Sequence, residues 1–157
     1  MTRVATLYVE ICVFKFENGY PQYLILKRSE EEKIYPGIYQ LITGTIEKGE
    51  TAMKTALREI QEEIQIPPKN FWSVPFINSY YVHTKDIVNH SPVFLAEVQS
   101  DKLPVLSEEH QSYTWLNYES AVQVLTWDSQ RRTLKIINDF LTGKDDWGKQ
   151  TKIELEH

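Results

Sequence analysis

A single cysteine stands in the chain, at position 12, so no internal disulfide can form. Its neighbours Ile11, Val13 and Phe14 mark it as a buried strand thiol, and nothing nearby in sequence would lower its pKa for catalysis. Long apolar runs are missing too. None approaches the roughly 20 residues that a membrane-spanning helix needs, and the opening Met1-Thr-Arg-Val-Ala-Thr has no apolar core of signal-peptide length. A cytoplasmic location without a membrane partner is the expectation. Positive charge is also short: 17 Lys and Arg against 22 Asp and Glu give a net charge of −5. That argues against an extended nucleic-acid partner, which needs a basic stripe. A small polyanionic substrate stays open if a metal or a local Lys/Arg cluster neutralises it. Internal repeats, low-complexity tracts and interdomain linkers are absent.

What is present suits one globular domain. The 157 residues, 41% hydrophobic and 25% charged, are enough for a proper core. We place the domain at residues 1–154 and set aside 155–157 (Leu-Glu-His) as a tag remnant; a monomer is expected. Residues 4–16 are β-branched and aromatic and read as one long strand, turned by Asn18-Gly19 into a returning strand at 23–28. A short strand at 38–43 leads to Gly44. The clearest helix spans 51–66, before Pro67-Pro68. Strands are expected at 71–82 and 92–99 with a polar loop 83–91 between them, then a short strand at 112–116. Asn117 is an N-cap candidate for a helix over 118–125, and a last helix covers 129–142. Strands with two or three helices in one compact domain imply an α/β or α+β layer fold.

The helix 51–66 raises the main question. On a wheel of about 100° per residue, Met53, Ala56, Leu57, Ile60 and Ile64 share one arc and should face the core. Glu59, Glu62 and Glu63 share the neighbouring arc. Like charges four residues apart repel on a helix, and a solvated face is the common explanation of a Glu-rich helix. Converging carboxylates, however, are also what hard divalent cations require. A bound cation would turn the repulsion into the reason for the arrangement.

Gly44, five residues, Glu50, seven residues, then Arg58-Glu59-Ile60-x-Glu62-Glu63-x-x-Ile66 resembles the signature box of the Nudix hydrolases. One position departs: Gln65 stands where the family usually has glycine, which puts the usual left-handed helix ending in doubt and leaves Pro67-Pro68 as the stop. The resemblance implies a Nudix-type α/β/α sandwich with a mixed central sheet flanked by helices. It further implies hydrolysis of a nucleoside diphosphate linked to another group, with Mg²⁺ or Mn²⁺. By position, Glu59, Glu62, Glu63 and the carbonyl of Gly44 would hold metal, while Arg58 and Glu50 would pair to shape the loop and helix. A further carboxylate from outside the box would come from 107-SEEH-110. Glu109 is preferred to Glu108 because Glu109-His110-x-x-Tyr113-x-Trp115-Leu116 recurs in two Nudix subfamilies; the alternative is an exposed acidic turn. Arg28, at the end of its strand, would bind substrate phosphates with its planar fork, or else be an ordinary surface charge. His83 and His90 are left outside the core site.

The box says little about the substrate. Residues 39-YQLITG-44 and the tail 109–116 resemble the dATP and dihydroneopterin triphosphate pyrophosphohydrolases, with Tyr39 in place of the more usual Trp. Tyr39 would then offer a flat face to a ring and Gln40 would read its edge, although strand alternation can turn the two to opposite faces. The implied partner is a nucleoside or pterin triphosphate. The tail also fits the asymmetric diadenosine tetraphosphate hydrolases, whose usual Pro-Lys-Gly approach to the box is replaced here by Ile42-Thr43-Gly44. A regulator that only binds nucleotides is the alternative of another class; such domains typically lose box carboxylates, and this chain keeps them all.

Overall fold

The computed structural model describes residues 1–156. Its centre is a mixed sheet. Strand β1 (Arg3–Ala5) is followed by β2 (Tyr8–Glu17) and β3 (Tyr20–Arg28), which form an antiparallel hairpin. Asn18 and Gly19 both take positive φ at its tip, the geometry that matches the twist of the flanking strands. After β4 (Tyr39–Gln40) and β5 (Ile42–Thr45) comes helix α1 (Ala52–Ile64). A second long hairpin follows, β6 (Asn70–Val82) and β7 (Ile87–Glu97). Strand β8 (His110–Leu116) leads into α2 (Tyr118–Val124) and α3 (Asp128–Leu141). A short α4 (Gly148–Thr151) and β9 (Lys152–Ile153) close the chain, and neither was expected from sequence.

Alternation along the strands builds two cores. On one face Val9, Ile11, Val13, Leu24, Leu26 and Ile42 pack against Ala56, Ile60 and Ile64 of α1. On the other, Cys12, Phe14, Tyr23, Ile25 and Leu41 pack against Ala121 of α2 and Leu134 and Ile137 of α3. The result is the expected layered α+β architecture, with helices on both faces of a mixed sheet.

The strand register has one feature that matters for the site. β2 and β3 are neighbours only where Phe14 meets Tyr23 and beyond, toward the hairpin tip. Before that point they splay, and residues 39–45 fill the gap as a wedge. Its first arm, β4, pairs with β3 (Leu26 opposite Gln40), and its second, β5, pairs with β2 (Ile11 opposite Ile42). The arms run in opposite directions from Leu41 at the apex and do not pair with each other among the described residues. A slot in the sheet therefore lies between them.

Several expectations change. The single strand 4–16 is broken: from Ala5 to Glu10 the chain takes five steps while its parallel partner β7 takes four, from Asn89 to Val93. The extra residue is a bulge, and Asn89 Oδ1 accepts from the Leu7 N–H there at 2.8 Å. The loop expected at 83–91 shrinks to a turn, because Ile87–Ser91 continue β7 against Val82–Asn78 of β6. Met53 is not in the core but exposed, and Thr55 is buried instead. Gln65 adopts the left-handed cap itself, at φ 56°, donating to Gln61; Pro67-Pro68 are not needed as the stop. Of the residues set aside at 155–157, Leu155 packs against the α1-side core, and His157 lies outside the described residues.

Candidate active site

The wedge delivers Gly44 to α1. Gly44 lies opposite Val9, whose side chain belongs to the α1-side core, so a side chain at 44 would project toward the helix. A Cβ there would stand 2.1 Å from Glu59 Cγ and 2.4 Å from its Cδ. Glycine is required for this close approach, not for an unusual φ. It leaves the Glu59 carboxylate directly against the strand backbone.

Helix α1 starts on Thr51, whose hydroxyl accepts from the Lys54 N–H at 3.2 Å, a cap worth about 1 kcal/mol. Seven residues further, Arg58 ties the loop to the helix. Its Nε and Nη2 reach the two oxygens of Glu50 at 2.8 and 2.9 Å, and Nη2 also donates to the Thr45 carbonyl at 2.9 Å. Nη1 reaches Glu59 at 3.1 Å and Glu62 at 3.2 Å. The Arg58 bond holds the Glu50 carboxyl down to about 2, helped by the Glu47 N–H. The pairing read from sequence is present in the fold.

Glu59 and Glu63 are buried on the sheet side, whereas Glu62 stands at the exposed edge. Burial pushes Glu59 up to about 7, against the pull of Arg58, with the Glu62 and Glu63 charges adding to the rise. Glu63 goes the other way. Burial opposes its charge, but hydrogen bonds from His110 and Ser107 outweigh it and hold the carboxyl below the ordinary range. Both donors lie 2.8 Å from Glu63 Oε2.

From the loop before β8, Glu109 comes to the same place. Ligand atoms of Glu63, Glu109 and His110 lie within 4.8 Å of one another. Burial and the Glu63 charge raise the Glu109 carboxyl, the behaviour of two acids brought close together. Glu108 points elsewhere, into a depression of about 430 Å³ that it lines with Arg28, Glu31 and Glu32.

The substrate-side residues are placed unevenly. Arg28 is engaged with its own loop, donating to the Ile34 carbonyl at 3.0 Å and Glu32 at 3.2 Å. Tyr39 lies on the α3 side, with Lys27 Nζ 5.7 Å from its ring centroid. Gln40 points to the α1 side and is buried, so the two face opposite ways. Its amide nitrogen lies 3.0 Å from His110 Nε2. An amide nitrogen only donates, so His110 Nε2 takes the Gln40 side while Nδ1 faces Glu63 Oε2. The chain Gln40–His110–Glu63 was not anticipated. Its only sequence signal was the placing of His110 next to Glu109 in the motif.

Residues 6–137 match the family described as the NUDIX domain. The chain belongs to the Nudix family. Relatives agree. It is 29% identical over 134 residues to the asymmetrical bis(5'-nucleosyl)-tetraphosphatase of Mus musculus, covering 81% of this chain and 85% of the relative. It is 30% identical over 124 residues to the dihydroneopterin triphosphate diphosphatase of Haemophilus influenzae, covering 71% and 75%. A solved Caenorhabditis elegans Ap4A hydrolase has the same fold, with a TM-score of 0.74 over 87% of this chain and 97% of that one at 21% identity. The protein is thus a Nudix hydrolase, and Glu59, Glu62 and Glu63 stand on its Nudix helix. No helix among the described residues is long and apolar enough to cross a membrane.

Proposed function

We propose that this Nudix hydrolase splits a nucleoside or pterin triphosphate to the monophosphate and pyrophosphate, using Mg²⁺ or Mn²⁺. The observation that carries the reading is the approach of the exposed Glu109 of the β8 loop to the buried Glu63 of α1, with Glu59 of the same helix against the bare backbone of Gly44. The donor set suits a hard cation: carboxylates and a carbonyl, with Gly44 leaving room for both. Glu59, Glu62, Glu63, Glu109 and the Gly44 carbonyl would hold it. A cation so bound would offset phosphate charge and lower the pKa of a bound water. The chain's own work is positioning. Arg58 fixes loop and helix, and His110, oriented by Gln40, fixes Glu63. Arg28 exchanges Glu32 for a substrate phosphate.

The mouse relative supports a second reading, cleavage of a dinucleoside tetraphosphate. The retained box carboxylates count against a regulator that only binds. A panel of dATP, dGTP, dihydroneopterin triphosphate and diadenosine tetraphosphate with Mg²⁺, with products resolved by chromatography, tests the choice. Glu63→Gln should lower hydrolysis by about 10²-fold or more while the variant still folds, if metal charge stabilisation is worth the several kcal/mol usual for such sites. Tenfold or greater preference for the dinucleotide would replace the triphosphate reading. Full turnover by Glu63→Gln would remove the site assignment.

A further inference from the structure

The face of the sheet opposite the carboxylates carries a buried acid that the hydrolytic site does not use. Glu10 of β2 is 2% exposed and lies between cross-strand partners Thr43 of β5 and Val93 of β7. Partners directly opposite share a face, and Val93 belongs to the α3-side core, so Glu10 projects to the α3 side. Its Oε2 accepts from Asn78 Nδ2 at 3.1 Å. Its Oε1 is buried with no hydrogen-bond partner among the described residues. An unmatched carboxylate oxygen is costly in a native interior, and burial accordingly raises the Glu10 carboxyl against the opposing pull of Asn78, Thr133 and Gln130.

Polar and aromatic side chains surround Glu10. Along this half of the face the strands carry Asn78, Asn89 and Ser91, all buried, where the apolar core under α2 and α3 has ended. Three aromatic side chains stay partly exposed nearby: Tyr80, Tyr35 and Trp127. Tyr35 and Trp127 meet edge to face at 5.0 Å, and Tyr35 is held at φ 51°, unusual for a bulky residue. Tyr80 lies within electrostatic reach of Glu10, Tyr8 and Tyr35. Gln130 spends its Oε1 on the Leu41 N–H, which leaves its amide N–H groups on the side of the Glu10 carboxyl. Thr43, beside Glu10, is the residue before Gly44, and it lies where the sheet pairing is interrupted between β4 and β5.

We propose that Glu10 is the specificity-determining residue of a ring subsite on the α3 face, taking a ring system with a 2-amino-4-oxopyrimidine unit, guanine or a pterin. Its phosphates pass through the slot to the carboxylates of α1. An ionised carboxylate only accepts. The adjacent N–H and amino groups of such a ring are both donors, whereas adenine sets an unprotonated ring nitrogen beside its amino group. Gln130 offers a donor for the oxo group, and the aromatic side chains offer faces for stacking. The inference rests on the hydrolase reading for the fate of the phosphates, but ring recognition can be measured without hydrolysis.

The test is a metal-free titration of the full chain with guanosine, neopterin and adenosine, followed by tryptophan fluorescence. Guanosine or neopterin should bind at least tenfold more tightly than adenosine, and the tighter of the two names the ring. Glu10→Gln, with Asn78 still pinning one end, turns the acceptor into a donor and should erase that preference. In parallel, the ratio of kcat/KM for dGTP or dihydroneopterin triphosphate to that for inorganic tripolyphosphate should fall at least tenfold. Tyr80→Ala, at an exposed position, serves if Glu10→Gln does not fold; it should weaken all rings and keep their order. Equal binding of guanosine and adenosine, or a preference that survives in Glu10→Gln, overturns the proposal. A preference found in a protein that hydrolyses none of the triphosphates upholds the subsite and overturns the proposed reaction instead.

Discussion

Adding one methyl group at Gly44 tests the whole geometry of the site. In Gly44→Ala the new Cβ would lie 2.1 Å from Glu59 Cγ, where ordinary contact begins near 3.4 Å. Glu59 must then retreat by more than about 1 Å, since the strand is held by pairing with β2 on one side. Overpacking of this kind costs about 1–3 kcal/mol, and each kcal/mol lowers Tm by roughly 2–4 °C in a chain of this size. Function should suffer more. A misplacement of about 1 Å can cost ~10²-fold in rate, and here it moves a carboxylate proposed to hold metal. Thermal unfolding and steady-state hydrolysis with Mg²⁺, measured on the same preparation, separate the two effects. An alanine variant with unchanged Tm and full kcat would show that Gly44 and Glu59 do not form the close pair described above.

Glu109→Gln should lower kcat by about 10²–10⁴-fold if Glu109 serves as ligand or base, while Glu108→Gln should change little; equal small losses in both would return the loop to an acidic turn. Arg28→Lys keeps the charge and loses the fork, so KM for triphosphates should rise while kcat moves less, and unaltered kinetics in Arg28→Ala would exclude a phosphate role. Acid should loosen the joint between loop and helix. Because the folded Glu50 carboxyl is lowered from 4.5 to about 2, its contribution is complete above pH 4.5 and lost as pH falls toward 2. Glu50→Gln should therefore flatten the stability-against-pH curve in that window, and curves that stay parallel would refute the linkage.

Much of this arrangement is legible along the chain because it depends on local spacing. The arc of Glu59, Glu62 and Glu63, the pairing of Arg58 with Glu50, the turn at Asn18-Gly19 and the cap at Asn117 each need only a few neighbouring residues. What escaped depends on partners far away. The bulge before Tyr8 exists because Asn89, 82 positions on, satisfies the Leu7 N–H. The polar stretch 83–91 looked like a loop because Asn89 and Ser91 belong to a buried polar strip, not an apolar one. Gln40 was read as facing a substrate ring, and its contact with His110, 70 positions away, could not be read from the chain. Glu10 passed unnoticed as one acid in an apolar strand. Gln65 shows the opposite case: a weak local preference overridden by the packing of Ile64 and Ile66 on either side.

The wedge of residues 39–45 also has a consequence for the order of assembly. The β2–β3 hairpin and α1 are local and can form within microseconds. The apex of the wedge is fastened by Gln130, which reaches the Leu41 N–H from 89 residues away, and contacts of that separation are slow to close. The Leu41 end of the wedge takes its final position once α3 has docked. In a refolding experiment helical circular dichroism should accordingly recover before hydrolysis does, so the return of activity marks the last long-range closure of the fold.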